Sequence, residues 1–381
     1  MAFQTTQFPT PLLVAEDLRK ELDPLPINCK PAPWSISMLR FIAAYKFSRW
    51  QKKQLPFQLP KVFIVEITPA RNQLAELLVT PQFRQLLAGL RQEQQVHIVC
   101  VFNFSTPDIE QRYKTQHAIN LIFFKNIFFQ LNCLLLDSAV SLPEAVWILL
   151  DLTQNFLSND LQIIFLGELE DHLQNDHGSC DMFALMNLLG VAEINLPALF
   201  QRLVPIKQAL SVLLNEVYGS SIKYYVNGFI EKFYLKNGVK LERDSLFKQL
   251  YDCQQMNLTT IARLFPKLFK AAQSFNFLER EFQGLPGFAD ATVTRGSFTT
   301  LKTYIETEKE DRRRLHNLDS SIPIYNTTIW RKKASLREKV CEVIQLIPGD
   351  ELQSLWKLAL SEQSLDLLIQ QMTALSLSQP R

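Results

Sequence analysis

Much that would classify a protein quickly is missing from this 381-residue sequence. The six cysteines, at 29, 100, 133, 180, 253 and 341, include no CxxC pair, which excludes a disulfide framework and fits a reducing compartment. Net charge is only +2, from 40 basic and 38 acidic residues, so no bulk field draws the chain to nucleic acid or an anionic membrane. No transmembrane segment is expected. The most apolar run, 121–136, is broken by Lys125, Asn126, Gln130 and Asn132 and cannot span a bilayer. Met1 to Pro9 has neither a basic n-region nor an apolar h-region, so no secretory signal is expected. Internal repeats and low-complexity tracts are lacking too. What is present, 47% hydrophobic and 11% aromatic residues, describes a folded chain of one large or two modest domains.

Residues 1–34 are proline-rich and read as an extended arm. Ser35 is placed to cap a helix over 36–53 whose second half carries Lys46, Arg49, Lys52 and Lys53. The runs 61–68 (KVFIVEIT) and 96–104 predict strands around a helix over 81–92, a layered α/β pattern. His97, at the start of the second strand, reads as structural, and Cys100 and Cys133 as inert core thiols. Two further apolar runs, 117–124 and 127–137, flank Lys125-Asn126 and predict a hairpin. With its turn centred near residue 127, His117 would face Asp137 directly. A helix over 142–157 and a strand over 161–166 follow. Beyond Gly190 the chain reads as mostly helical, near 197–217, 243–252 and 258–272, with a loop at 284–296. A charged run follows at 306–314, then a helix led by Ile329-Trp330-Arg331-Lys332-Lys333, and one or two amphipathic helices over 350–375.

The segment Gln174-Asn175-Asp176-His177-Gly178-Ser179-Cys180 ends a polar turn and opens an apolar helix. A thiol in the first turn of a helix feels the positive end of the macrodipole, which favours the thiolate. A thiolate nucleophile needs a base and a group that orients the base. His117, Asp137 and Cys180 supply that set, and the Gln174 amide with the first-turn N–H groups supplies oxyanion donors. A zinc site from Asp171, His172, Asp176, His177 and Cys180 is the rival, but it lacks the regular four-ligand spacing of structural zinc.

The order His, acidic residue, Gln-x5-Cys resembles the YopJ family of effector acetyltransferases. Its carriers here are His117-Ala118-Ile119-Asn120-Leu121, Leu136-Asp137-Ser138-Ala139 and the stretch 174–185, QNDHGSCDMFAL. Phe265-Pro266-Lys267-Leu268-Phe269-Lys270-Ala271-Ala272-Gln273-Ser274 resembles a further family motif, Leu-Pro-x-x-Phe-Tyr-Lys-His-x-Gln. It departs from that motif at Ala271 and in the spacing that makes Lys270 the counterpart of its lysine. The resemblance implies an α/β (α+β) fold with a ubiquitin-like-protease-type catalytic core over 59–285, including a helical insertion at about 195–260. A mostly helical regulatory part would be built from 1–58 and 286–381. It implies acetyl transfer from acetyl-CoA through Cys180 to Ser, Thr or Lys of a host protein, after signal-peptide-independent delivery to the host cytoplasm. Inositol hexakisphosphate is the implied activator, with Arg49, Lys52, Lys53, Arg312, Arg313, Arg314, Arg331, Lys332, Lys333 and Arg337 as its candidate ligands, and Lys270 as a candidate autoacetylation or cofactor-side lysine. The same triad would equally serve a ubiquitin-like cysteine protease, and a degenerate triad would leave an interaction protein.

Overall fold

β-Branched residues crowd the first two long strands, β1 (Lys61–Thr68) and β3 (Gln95–Phe104), and the chain pairs them in parallel, Val62 against His97 and Val65 against Cys100. The computed structural model describes residues 33–52, 59–104 except 69, 115–138, single residues of 144–156, 161–166, 174–199 except 175, 177 and 193, the short strands 233–234 and 240–241, 273–275, 300–361 and 365–378. The expected arm, the loop at 284–296 and most of the helices expected over 197–272 therefore lie outside the described residues. The described chain falls into two compact units, Phe57–Ile329 and a second made of Met1–Pro56 with Trp330–Arg381. The smaller unit is thus built from both ends of the chain.

In the larger unit a mixed sheet runs in the order β2-β1-β3-β4-β5-β6, with β2 at Arg71–Asn72, β4 at Thr115–Lys125, β5 at Leu131–Leu136 and β6 at Leu161–Leu166. β1–β3 and β5–β6 are parallel, and β3–β4 and β4–β5 antiparallel. Helices α1 to α3 are Ile36–Lys52 (in the smaller unit), Gln73–Val79 and Pro81–Ala88. Further along the larger unit come α4 (Cys180–Val191), the single turn α5 (Leu196–Leu199) and α6 (Leu301–Leu318). Ser35 Oγ accepts the Met38 N–H, the expected cap of α1. Asn72 and Thr80 cap α2 and α3 in the same way. α3 stops four residues earlier than the 81–92 expected, with Gly89 at its C-cap. One core joins Leu74, Leu78, Phe83 and Leu87 of these helices to Ile98, Cys100, Ile119, Leu121, Phe123, Cys133 and Leu135 of the sheet, and to Ile148 and Leu152. The described residues of the helix expected over 142–157 are helical up to Asn155.

The hairpin departs from its expected register. Asn120 pairs with Leu136 and Lys125 with Leu131, so the turn is a longer loop over 126–130. Asn126 makes that loop: its Oδ1 accepts the N–H groups of Phe128 and Gln130, at 2.9 and 3.0 Å. Phe129 adopts φ of 60°, and Phe128 and Phe129 are left 70% and 68% exposed. The register moves by two residues, not one, so every side chain keeps its face.

The smaller unit is helical in its described part: α1, α7 (Thr328–Leu346, from Trp330 on), α8 (Gly349–Leu360) and α9 (Leu365–Ser378). Phe41 packs on Trp356 at 6.4 Å, and the Arg40 guanidinium donates to the Ala359 and Ser361 carbonyls at the end of α8. That contact completes the orphan carbonyls there and opposes the negative end of the dipole. The last stretch forms two helices, not one.

Phe123 is fully buried between Phe83 and Phe156, with ring centroids at 5.9 and 6.2 Å. Phe123→Ala should lower unfolding stability in urea by about 3–5 kcal/mol. A loss below about 1 kcal/mol would show that the core closes over the cavity.

Candidate active site

The histidine strand, the acidic strand end and the cysteine helix meet at one end of two interior strands of the sheet, β4 and β5. His117 stands near the start of β4 and Asp137 follows the last residue of β5. Under the observed register Asp137 is the diagonal neighbour of His117 rather than its direct partner, a span that a ring and a carboxylate can bridge. They do so with Nε2 to Oδ1 at 2.8 Å, and both residues are buried. Helix α4 begins at the thiol, whose Sγ donates to the carbonyl of Gln116, the residue before His117, at 3.3 Å. Burial would push the imidazole toward its neutral form, but the adjoining Asp137 carboxylate, their hydrogen bond and the contact with Cys180 hold its pKa well above the ordinary value.

The helix is indexed against the strand by two buried amides. Asn120 Nδ2 donates to the Ala184 carbonyl at 3.0 Å, and Asn187 Nδ2 donates to Asn120 Oδ1 at 3.1 Å. Asn120 is three residues past His117 and Asn187 two turns into α4, so this pair sets how far Cys180 sits along the strand. Sequence reasoning missed both, since a polar residue in an apolar run does not declare its partner.

The loop before Cys180 is tied to the acidic strand end. The Gln174 N–H donates to the Ser138 carbonyl, and Ser138 Oγ donates to Gln174 Oε1, each at 2.9 Å. Gln174 Nε2 in turn donates to the Asp176 carbonyl, using one of its two N–H groups. Asp176, weighed in the sequence only as a metal ligand, has its carboxylate engaged by the Gly178 N–H, Ser179 Oγ and Gln273 Nε2. Asp171, His172 and His177 lie outside the described residues, as do Lys53 and Lys270. Among the described residues no cluster of three His, Cys, Asp or Glu is placed to hold a metal.

Elsewhere, His97 is fully buried on Gln95 Oε1 at 2.7 Å, and burial pushes its pKa down to about 3. Cys100 and Cys133 are buried, and desolvation raises both thiols. The candidate phosphate ligands differ among themselves. Arg49 bonds the Tyr45 hydroxyl, and Lys52 is the last residue of α1. On α6 Arg312 is buried, Arg313 is exposed, and Arg314 pairs with Asp311 at 3.4 Å. On α7 Arg331 is exposed and Lys332 and Arg337 half-buried, whereas Lys333 is buried with its ammonium 4.5 Å from the Trp34 ring centroid.

No family model and no curated protein matches the chain. Solved structures do. AvrA delL154 with IP6 and CoA is 11% identical, with a TM-score of 0.43 over 89% of this chain and 98% of its own. HopZ1a in complex with IP6 is likewise 11% identical at a TM-score of 0.43, over 89% and 100%. Both are effectors of the YopJ family. The Legionella pneumophila effector RavZ is 12% identical with a TM-score of 0.27, over 72% and 83%.

Because its folded pKa is raised, protonated His117 adds stability that is complete below its unfolded pKa of about 6.5 and is lost as pH rises through the folded value. Urea unfolding of the wild type and of His117→Asn from pH 6 to 10 should show the stability gap narrowing with pH. A gap that stays level or widens would exclude a charged pair.

Proposed function

We propose that the chain is a cysteine-dependent acetyltransferase, with Cys180 as nucleophile, His117 as base and Asp137 as its orienter. The observation that carries this reading is the buried 2.8 Å His117–Asp137 pair, with a thiol that opens a helix held at 3.3 Å on the carbonyl of the residue before that histidine. The Asp137 carboxylate holds Nε2, which leaves the ring's other nitrogen, Nδ1, to take the thiol proton. Cys180 gives its proton to that nitrogen, and the sulfur attacks the thioester carbonyl of acetyl-CoA. First-turn N–H groups of α4, with the remaining N–H of the Gln174 amide, hold the oxyanion. Collapse expels the CoA thiolate, which takes the proton from His117 and leaves acetyl-Cys180. A hydroxyl or amine of a host protein then attacks this thioester while His117 accepts its proton, and the free thiol returns. Delivery of the chain to a host cytoplasm belongs to the same reading.

Inositol hexakisphosphate is the proposed activator. Two separate candidate faces fit it: Arg313 on α6, exposed, and Arg331, Lys332 and Arg337 on α7, exposed or half-buried. Lys333 fits it less well, because its ammonium already lies over Trp34.

Intact-mass spectrometry after incubation with acetyl-CoA and the polyphosphate should show a step of about 42 Da, one acetyl group in the covalent scheme, and Cys180→Ala should abolish acetyl incorporation. Full labelling of Cys180→Ala would sink the proposal. A ubiquitin-family propargyl probe that labels Cys180 without any acetyl transfer would identify a protease instead.

Saturating polyphosphate should raise the melting temperature, by preferential binding to the folded chain, with about 2.7 kcal/mol gained at a hundredfold excess over Kd. Arg313→Glu with Arg314→Glu should reduce that shift. An undiminished shift in the double variant would remove α6 from the site.

A further inference from the structure

The carboxylate of Asp176 is buried four residues before the thiol and takes no part in the triad. It accepts the Gly178 N–H at 2.9 Å on Oδ1, and on Oδ2 it accepts Ser179 Oγ at 2.9 Å and Gln273 Nε2 at 2.6 Å. Its own N–H donates to Gln273 Oε1 at 3.1 Å, so one fully buried glutamine amide grips both the backbone and the side chain of Asp176. Gln273 is held in turn, since its carbonyl accepts the Asn326 N–H at 2.9 Å. The loop end is also bound forward, as the Ser179 carbonyl accepts the Phe183 N–H in the first turn of α4. Tyr325 lies near enough that burial and the Asp176 charge push its phenol up to about 12. A buried carboxylate with this many donors is a rigid anchor. A loop that carries a nucleophile needs one, because misplacement by about 1 Å costs on the order of a hundredfold in rate.

We propose that Asp176 and Gln273 are positioning residues for Cys180, a clasp that holds the turn before α4 so that the thiol meets His117. This rests on the reading of Cys180 as the nucleophile, and its test measures thiol reactivity apart from acetyl transfer. The clasp can be exchanged without changing net charge. In Asp176→Asn with Gln273→Glu the amide and carboxylate swap sides. The amide at position 176 then donates to the carboxylate at position 273, and the backbone N–H of residue 176 keeps a carboxylate oxygen. Gln273→Glu alone sets two carboxylates against each other, and Asp176→Asn alone sets two amides.

The experiment is the rate of Cys180 alkylation by iodoacetamide in the full chain, followed by mass spectrometry of its peptide, with the melting temperature recorded for each variant. Either single change should slow alkylation about tenfold or more. The double variant should recover to within about threefold of the wild type, as coupled neighbours do in a double-mutant cycle. A role in stability alone would lower melting temperature and leave the alkylation rate of the folded variants unchanged, and that result overturns the proposal. So does a double variant no faster than the slower single one. Should Gln273→Glu fail to fold, Asp176→Asn against the double variant carries the same comparison. If acetyl transfer proves absent while this pattern holds, the clasp stands and the acetyltransferase reading falls.

Discussion

A carboxylate and an imidazole buried together at the ends of two interior strands constrain everything around them. Asp137 and His117 lose their hydration, and such a pair is tolerated only where geometry and further hydrogen bonds replace the water. The fold supplies this by making the two residues strand-end neighbours in a four-strand run of continuous ladders, β3 to β6. Ser138 then fastens the cysteine loop to the acidic strand end, and the Asn120–Asn187 contact fixes how far the cysteine helix slides along the histidine strand. Removing one partner of a buried pair leaves the other charged and unpaired, which makes these strand ends the most sensitive place in the larger unit.

How much of this was legible in the sequence differs from element to element for physical reasons. The strands over 61–68 and 161–166 were matched to the residue, because apolar β-branched runs between turn residues admit few other readings. The mixed α/β class followed from their alternation with helices. The hairpin register was not legible. Lys125-Asn126 suggested a tight turn, whereas the Asn126 side chain gathers the backbone of residues 128 and 130 into a wider loop. The contact between His117 and Asp137 survived this error because an even shift preserves the face of every residue. Gln273 was quoted as part of a motif with no role, and its grip on Asp176 spans 97 residues of chain. Local patterns carry no trace of such a contact.

The basic residues show the same limit from another side. A cation in a helix reads alike whether it is solvated, paired or buried. Arg40, outside every motif, closes the carboxyl end of α8, and Lys333, grouped with phosphate ligands, lies over Trp34. Arg313 and Arg331 look the same in sequence and are exposed. Burial, not residue type, separates structural cations from those a polyanion can reach.

The chain order of the clasp has a consequence for biosynthesis. The thiol meets a carbonyl 64 residues behind it, and the loop that aims it is gripped from 97 residues ahead. As the polypeptide emerges, Cys180 is made well before Gln273, so a nascent chain carries His117, Asp137 and Cys180 before the residue that grips the Asp176 loop. The seat of the Cys180 thiol is therefore completed only after residue 273 has been made and folded back onto the loop.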